Sequence, residues 1–101
     1  MTTYVIFNYL QVFDEERIQA YRERAHPLVA KYGGRVVVRP GALSVVEGRP
    51  SEYLIVTQWD TVDAALDWYH SPEYQEARKI RDGAAEVQVL FADGAVSCSP
   101  L

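Results

Sequence analysis

The segment Trp68-Tyr69-His70-Ser71-Pro72-Glu73-Tyr74 gathers three large aromatics around a serine-proline break, and Arg81 follows it two helical turns later. By helical spacing Tyr74, Ala77, Arg78, Arg81 and Ala84 or Ala85 share one side, so Arg81 points the way Tyr74 points. That side is otherwise apolar. A guanidinium keeps its proton and is costly to bury unpaired, so it needs either a carboxylate from the protein or an anionic ligand. Glu47 is the candidate internal partner, and with it Arg81 belongs to a salt-bridged core. With a ligand instead, Arg81 holds a carboxylate or enolate oxygen while Trp68, Tyr69 and Tyr74 wall a small apolar cleft.

Other residues offer chemistry with a structural role beside it. His26 has an imidazole suited to proton transfer near neutrality if it faces the cleft, and is a surface residue at a helix kink if it does not. Asn8 sits among apolar residues and needs a hydrogen-bond partner when buried, from the backbone or from a ligand. Tyr21 falls on a buried helical stripe, where its phenol needs a partner; core packing or a place in the cleft both satisfy that need. His70, next to the Ser71 cap, reads as exposed. Two histidines in different elements, with no acidic pair at ligand spacing, predict no metal. Cys98 is the single cysteine, set in a Ser97-Cys98-Ser99-Pro100 tail, and reads as inert. No glycine-rich phosphate loop, G-x-S-x-G or H-E-x-x-H is present, so dinucleotide-dependent hydride transfer, phosphoryl transfer and elbow-serine hydrolysis lack their sequence machinery. No cofactor is expected.

The elements that must position these residues are legible from periodicity. Tyr4 to Val12 alternates and reads as a strand. Asp14 caps a helix whose stripe is Ile18, Tyr21, Ala25, Leu28, Val29 and Tyr32, with a kink or break expected near His26 because Pro27 removes a backbone donor. Gly33-Gly34 ends it. Arg35 to Glu47, interrupted by Pro40-Gly41, reads as one long bent strand, followed by a turn at 47–51 and a strand from Tyr53 to Trp59. Asp60 or Thr61 caps a helix through Tyr69. Ser71-Pro72 starts a second piece running to about Asp82, closed by Gly83. Glu86 to Asp93 is the last strand, ended by Gly94. This βαββαβ order is the ferredoxin-like arrangement, α+β, with a four-stranded antiparallel sheet carrying its helices on one face. Strand one has large apolar residues in both alternation sets, so the other face needs a cover, and a second copy of the sheet, a homodimer, is the simplest one.

Composition sets the outer limits. A chain of 101 residues with 49% apolar content and seven tyrosines reads as one domain, residues 1–101, with one modest core. Apolar runs are too short for a membrane span, and the N-terminus lacks the pattern of a secretory signal, so a cytoplasmic protein is expected. The net charge is -4 and the basic residues are scattered among carboxylates, which argues against nucleic acid as a partner.

Tyr21 followed by Pro27, Gly33-Gly34-Arg35, Glu47-Gly48, Trp68-Tyr69 with Ser71-Pro72-x-Tyr74, and Arg81 before the final strand together resemble the DUF1330 family over nearly the whole chain. The chain departs from that pattern at Pro40, where a glycine pair is expected, and at Gln58-Trp59, where an acidic-aromatic pair is more usual. The resemblance implies a dimeric α+β barrel. That wider superfamily holds cofactor-free monooxygenases, isomerases and lyases beside plain binding proteins, so the fold by itself does not choose among them. Some of its monooxygenases use Asn, Trp, Tyr and Arg around an aromatic substrate, residue types that Asn8, Trp68, Tyr74 and Arg81 supply. The expected function is therefore small-molecule binding, with cofactor-independent acid/base chemistry on a small carboxylated or polyketide-like metabolite. In that reading Arg81 binds the anion, Glu47 or His26 moves protons, and Trp68, Tyr69, Tyr74, Asn8 and Tyr21 contact the substrate. The alternatives are a non-catalytic binding module, a monooxygenase-like enzyme, and a purely structural dimer whose cleft is filled by its own side chains.

Overall fold

A computed structural model describes residues 2–94; Cys98 and its tail lie outside the described residues. The element order is β1 (Thr3–Val12), α1 (Glu15–Lys31), β2 (Arg35–Val38), β3 (Tyr53–Trp59), α2 (Val62–His70), α3 (Pro72–Arg81) and β4 (Ala85–Asp93). The strands form one sheet in the order β2-β3-β1-β4, every neighbouring pair antiparallel. This is the expected ferredoxin-like α+β architecture, with the second helical region split in two.

Strand alternation divides the sheet into two faces. On β1 Thr3, Val5, Phe7 and Tyr9 are buried, and their partners on β3 include Trp59, Thr57 and Ile55. The intervening Tyr4, Ile6, Asn8 and Leu10 are half-buried on the other face. Ile18, Tyr21, Ala25 and Val29 of α1, Ala65 and Trp68 of α2, and Tyr74 and Ala77 of α3 complete the core. Asp14 caps α1 by accepting from the Arg17 backbone N–H at 3.1 Å, and Thr61 rather than Asp60 caps α2, accepting from Ala64.

Helix α1 runs through Pro27 without the expected break. Glu23, whose carbonyl loses its donor, and Pro27 both lie on the exposed side, where solvent can satisfy that carbonyl. Gly33, at φ 94, then turns the chain, and the Gly34 N–H returns to the Val29 carbonyl at 2.8 Å. Gly34 lies so close to Trp59 that an added Cβ would sit 2.6 Å from the indole ring. The close approach excludes any side chain.

The long bent second strand is corrected by the structure. Pairing with β3 is bulged between Val36 and Val38 and stops there, and residues 39–52 form an irregular, largely exposed connection. Pro40, two residues after Val38, has no N–H with which to extend the ladder. Among the described residues no helix is long and apolar enough to cross a membrane.

Candidate functional site

Helix α1 is tied to α3 at both ends, and this sets the site. Arg17 donates to the carbonyls of Ile80 and Asp82 near one end. Near the other, Lys31 and the Tyr32 hydroxyl both reach the Glu73 carboxylate. Between these clamps Tyr21 and Tyr74 meet, their hydroxyl oxygens 2.8 Å apart. The Arg81 guanidinium donates through Nη1 to both, at 3.3 Å to Tyr21 and 3.4 Å to Tyr74. It lies 5.0 Å from the Tyr21 ring centre and 5.6 Å from that of Phe7.

Tyr74 reaches this position because the helix restarts in front of it. Ser71 adopts an extended backbone, donates its hydroxyl to the Trp68 carbonyl at 2.8 Å and accepts from the Tyr74 N–H at 3.1 Å. One serine thus ends α2 and caps α3. The aromatic rings then stack in sequence, Trp59 to Trp68 at 5.0 Å, Trp68 to Tyr74 at 4.6 Å and Tyr74 to Tyr69 at 5.2 Å.

Beside this stack a cavity of about 340 Å³ opens between α1 and the inner sheet face. Its floor is Phe7, Tyr9, Ile55 and Thr57, with Trp68 behind; α1 contributes Tyr21, Arg22, Ala25, His26 and Val29, together with Gln19 and the carboxylate of Glu23; Val36, Arg39 and Pro40 form the lip. The volume lies at the small end of the range for ligand pockets. Its residues' chemistry is mostly apolar, with the polar groups gathered on α1.

The expected site residues divide by position. Tyr21, Trp68 and His26 line the cavity, His26 from the exposed rim. Tyr74 and Arg81 share a helical face as the spacing predicts, but they sit one layer behind, reaching the cavity through Tyr21. Tyr69 is half-buried against Phe91 and Tyr74 rather than on the wall. Asn8 is corrected: it falls on the opposite sheet face and accepts from the Ser51 hydroxyl, because its parity on β1 differs from that of Phe7 and Tyr9. Glu47 is also corrected. It lies exposed in the connection after β2 and forms no ion pair with Arg81. Loss of the long strand removed the element that was to carry it inward.

Arg81 is only 7% exposed and has no carboxylate partner among the described residues. Its neighbours are phenols. Burial, more than the adjacent Tyr74, holds the Tyr21 hydroxyl well above the usual tyrosine range, despite the opposing pull of Arg81. Burial likewise raises Tyr74 and Tyr9. These hydroxyls are therefore protonated donors at neutral pH, not bases.

The count of hydrogens is unbalanced. Arg81 donates to both phenol oxygens, and one phenol hydrogen fills the bond between Tyr21 and Tyr74. The second phenol hydrogen has only the neighbouring Tyr9 hydroxyl within reach among the described residues. The fully buried Tyr9 hydroxyl lies beside Tyr21 and Arg81 without a well-aligned hydrogen bond, and the indole N–H of Trp68 has no partner among the described residues. The cluster is rich in donors and short of acceptors, the arrangement expected where an oxygen-bearing anion binds.

Sequence reasoning missed Tyr9 and Arg22. Tyr9 was available from its parity with Phe7, and Arg22 from its place four residues after Ile18 and four before His26. Arginine beside a tyrosine on a helix is usually a solvated residue, which hides the signal.

Several solved structures share this fold. A protein of unknown function from Rhodopseudomonas palustris matches with a TM-score of 0.76 and 17% identity, covering 94% of this chain and 83% of that one. A dimeric ferredoxin-like protein of unknown function from Jannaschia sp. CCS1 matches at TM-score 0.73 and 11% identity, over 93% of this chain and 100% of the other. SnoaB, a cofactor-independent oxygenase from Streptomyces nogalater, matches at TM-score 0.62 and 13% identity, over 98% and 97%. At such identities the likeness speaks to fold alone. The family match is sequence-wide: the model of the domain of unknown function DUF1330 covers residues 2–95, and the chain belongs to that family.

Proposed function

We propose that the cavity binds a small apolar metabolite carrying a carboxylate or enolate oxygen, and that the protein acts on it by cofactor-independent acid/base chemistry. The carrying observation is the buried Arg81 cation, which faces phenols and, among the described residues, no carboxylate. An anionic oxygen against Tyr21 would receive the surplus hydroxyl hydrogen, with the charge of Arg81 behind it. Such a pair of donors stabilises the oxygen of an enolate formed when a proton leaves the adjacent carbon. His26 on the rim is the candidate acceptor for that proton. Arg81 in this reading is a positioning residue that acts through Tyr21 and Tyr74.

A homodimer is part of the proposal. Tyr4, Ile6, Leu10, Leu54 and Val56 leave an apolar outer sheet face half-covered, and Leu90 is 41% exposed. A second sheet laid on that face would cover it, as the dimeric description of the Jannaschia protein suggests. Sedimentation equilibrium tests this, and a monomer at micromolar concentration would reject it.

The functional test is native mass spectrometry of the purified protein for a retained small molecule, followed by incubation with that compound. Conversion that Arg81→Met slows identifies an enzyme. Recovery unchanged identifies a carrier, and consumption of dissolved oxygen identifies a cofactor-free oxygenase, the second reading that the aromatic wall and the SnoaB-like fold support. Arg81→Met that stays folded and leaves both binding and turnover unaltered would overturn the assignment.

A further inference from the structure

Arg22 lines the cavity from α1, as Arg39 does from the lip, while Arg81 stands one layer behind; the mechanism outlined above does not use Arg22. Its guanidinium carbon lies 4.6 Å from the ring centre of Tyr53 and 6.0 Å from that of Tyr9, two rings that themselves stack at 4.7 Å. The rings hold the group in place by cation–π attraction. Its Nε and Nη2 atoms are buried and have no acceptor among the described residues, which leaves Nη1 as the nitrogen open to the cavity. The nearby Glu52 carboxylate is engaged with the Val12 backbone N–H, and Arg22 takes part in no ion pair among the described residues.

The two arginines are set along one strand. Arg81 packs over Phe7 and Arg22 over Tyr9, which are two residues apart on the inner face of β1. Their footings are thus roughly 7 Å apart along the strand. Tyr9 and Tyr21 both line the cavity. Neither arginine forms an ion pair among the described residues, although the exposed Glu23 lines the cavity next to Arg22, and the walls between are aromatic.

We infer that Arg22 is the specificity-determining residue that binds the ligand carboxylate, and that the ligand is a flat apolar acid bearing a second oxygen acceptor at its far end, received by Tyr21 in front of Arg81. This rests on the ligand-binding reading above and narrows it to oxo or hydroxy acids whose oxygens are separated by about the width of a substituted ring. A single guanidinium would explain one acceptor; two, held apart by an aromatic floor, call for two.

Para-hydroxybenzoate, its methyl ester, benzoate and phenol test the inference by titration calorimetry on the intact protein. Para-hydroxybenzoate is expected to bind about tenfold or more tightly than the ester, from the charge-assisted bond to Arg22. Arg22→Gln should abolish that acid-over-ester preference, while Arg22→Lys should retain part of it. Should Arg22→Gln fail to fold, Arg22→Lys and the acid-to-ester ratio of the unaltered protein still decide: equal binding of acid and ester, or full preference kept after loss of the planar fork, overturns the role of Arg22. Equal binding with saturation leaves the binding reading standing and removes only this inference. Absence of binding by all four compounds overturns both.

Discussion

Tyr21 and Tyr74 come from different helices, 53 positions apart in sequence, and share a hydrogen bond of 2.8 Å between buried hydroxyls. The rings meet edge to face at 76°, so each phenol presents its oxygen to the other and to Arg81. This contact joins the core of the fold to the cavity wall. A change at either tyrosine should therefore register in both stability and binding.

Tyr74→Phe removes one oxygen from the trio and leaves Arg81 with a single phenol acceptor. The expected cost is about 1–2 kcal/mol, read from urea denaturation, and Tyr21→Phe should cost a similar amount. The double variant should cost less than the sum, because both single variants lose the one hydrogen bond that the two hydroxyls share. Strict additivity would mean that the bond contributes nothing.

Burial sets the alkaline limit of stability. Tyr53 is pushed from its ordinary 10.0 to about 12, chiefly by desolvation, and Tyr21 is raised well above the usual range by the same cause. Above pH 10 the unfolded chain releases these protons while the folded chain retains them, so unfolding becomes more favourable as pH rises. Stability contributed by Tyr53 should be flat below pH about 10 and decline between about 10 and 12. Thermal melts across this range should show the decline, and Tyr53→Phe should shallow it. A melting temperature that rises there would contradict the assignment.

Ser71→Ala should loosen the junction of α2 and α3. The hydroxyl caps α3 at the Tyr74 N–H and also bonds the Trp68 carbonyl, so about 1–2 kcal/mol is expected to be lost. Ser71→Asp restores the acceptor alone. Partial recovery by aspartate, measured by denaturation, separates capping from the bond to Trp68.

Gly34→Ala places a methyl group within 2.6 Å of the Trp59 ring, which is 1% exposed and held by its N–H to Thr57 at 2.9 Å. Overpacking of this kind costs about 1–3 kcal/mol. Indole fluorescence should shift with it. An unchanged midpoint would show that the Trp59 side chain moves freely, contrary to its packing.

Glu47→Gln should change stability by less than about 0.5 kcal/mol, as for an exposed side chain outside any network. Arg81→Met should change it far more. Equal effects would restore the internal salt bridge that the fold otherwise dismisses.

Local patterns in the chain determined most of the architecture. Alternation in Tyr4 to Val12, the Asp14 cap, the Gly33-Gly34 stop and the Ser71-Pro72 restart each encode a short-range preference, and the βαββαβ order follows from them. Helical spacing likewise placed Arg81 with Tyr74. Where those preferences were silent, three-dimensional packing decided. Where β2 ends depends on whether β3 can keep supplying partners, and its stop at Val38 withdrew Glu47 from the core. Which face of β1 meets the helices decided that Tyr9 belongs to the cavity and Asn8 does not. Arg22 became a site residue because Tyr53, from a distant strand, brings its ring over the guanidinium. A side chain's charge can be read from its letter, but whether a counter-charge stands within reach depends on contacts between residues far apart along the chain.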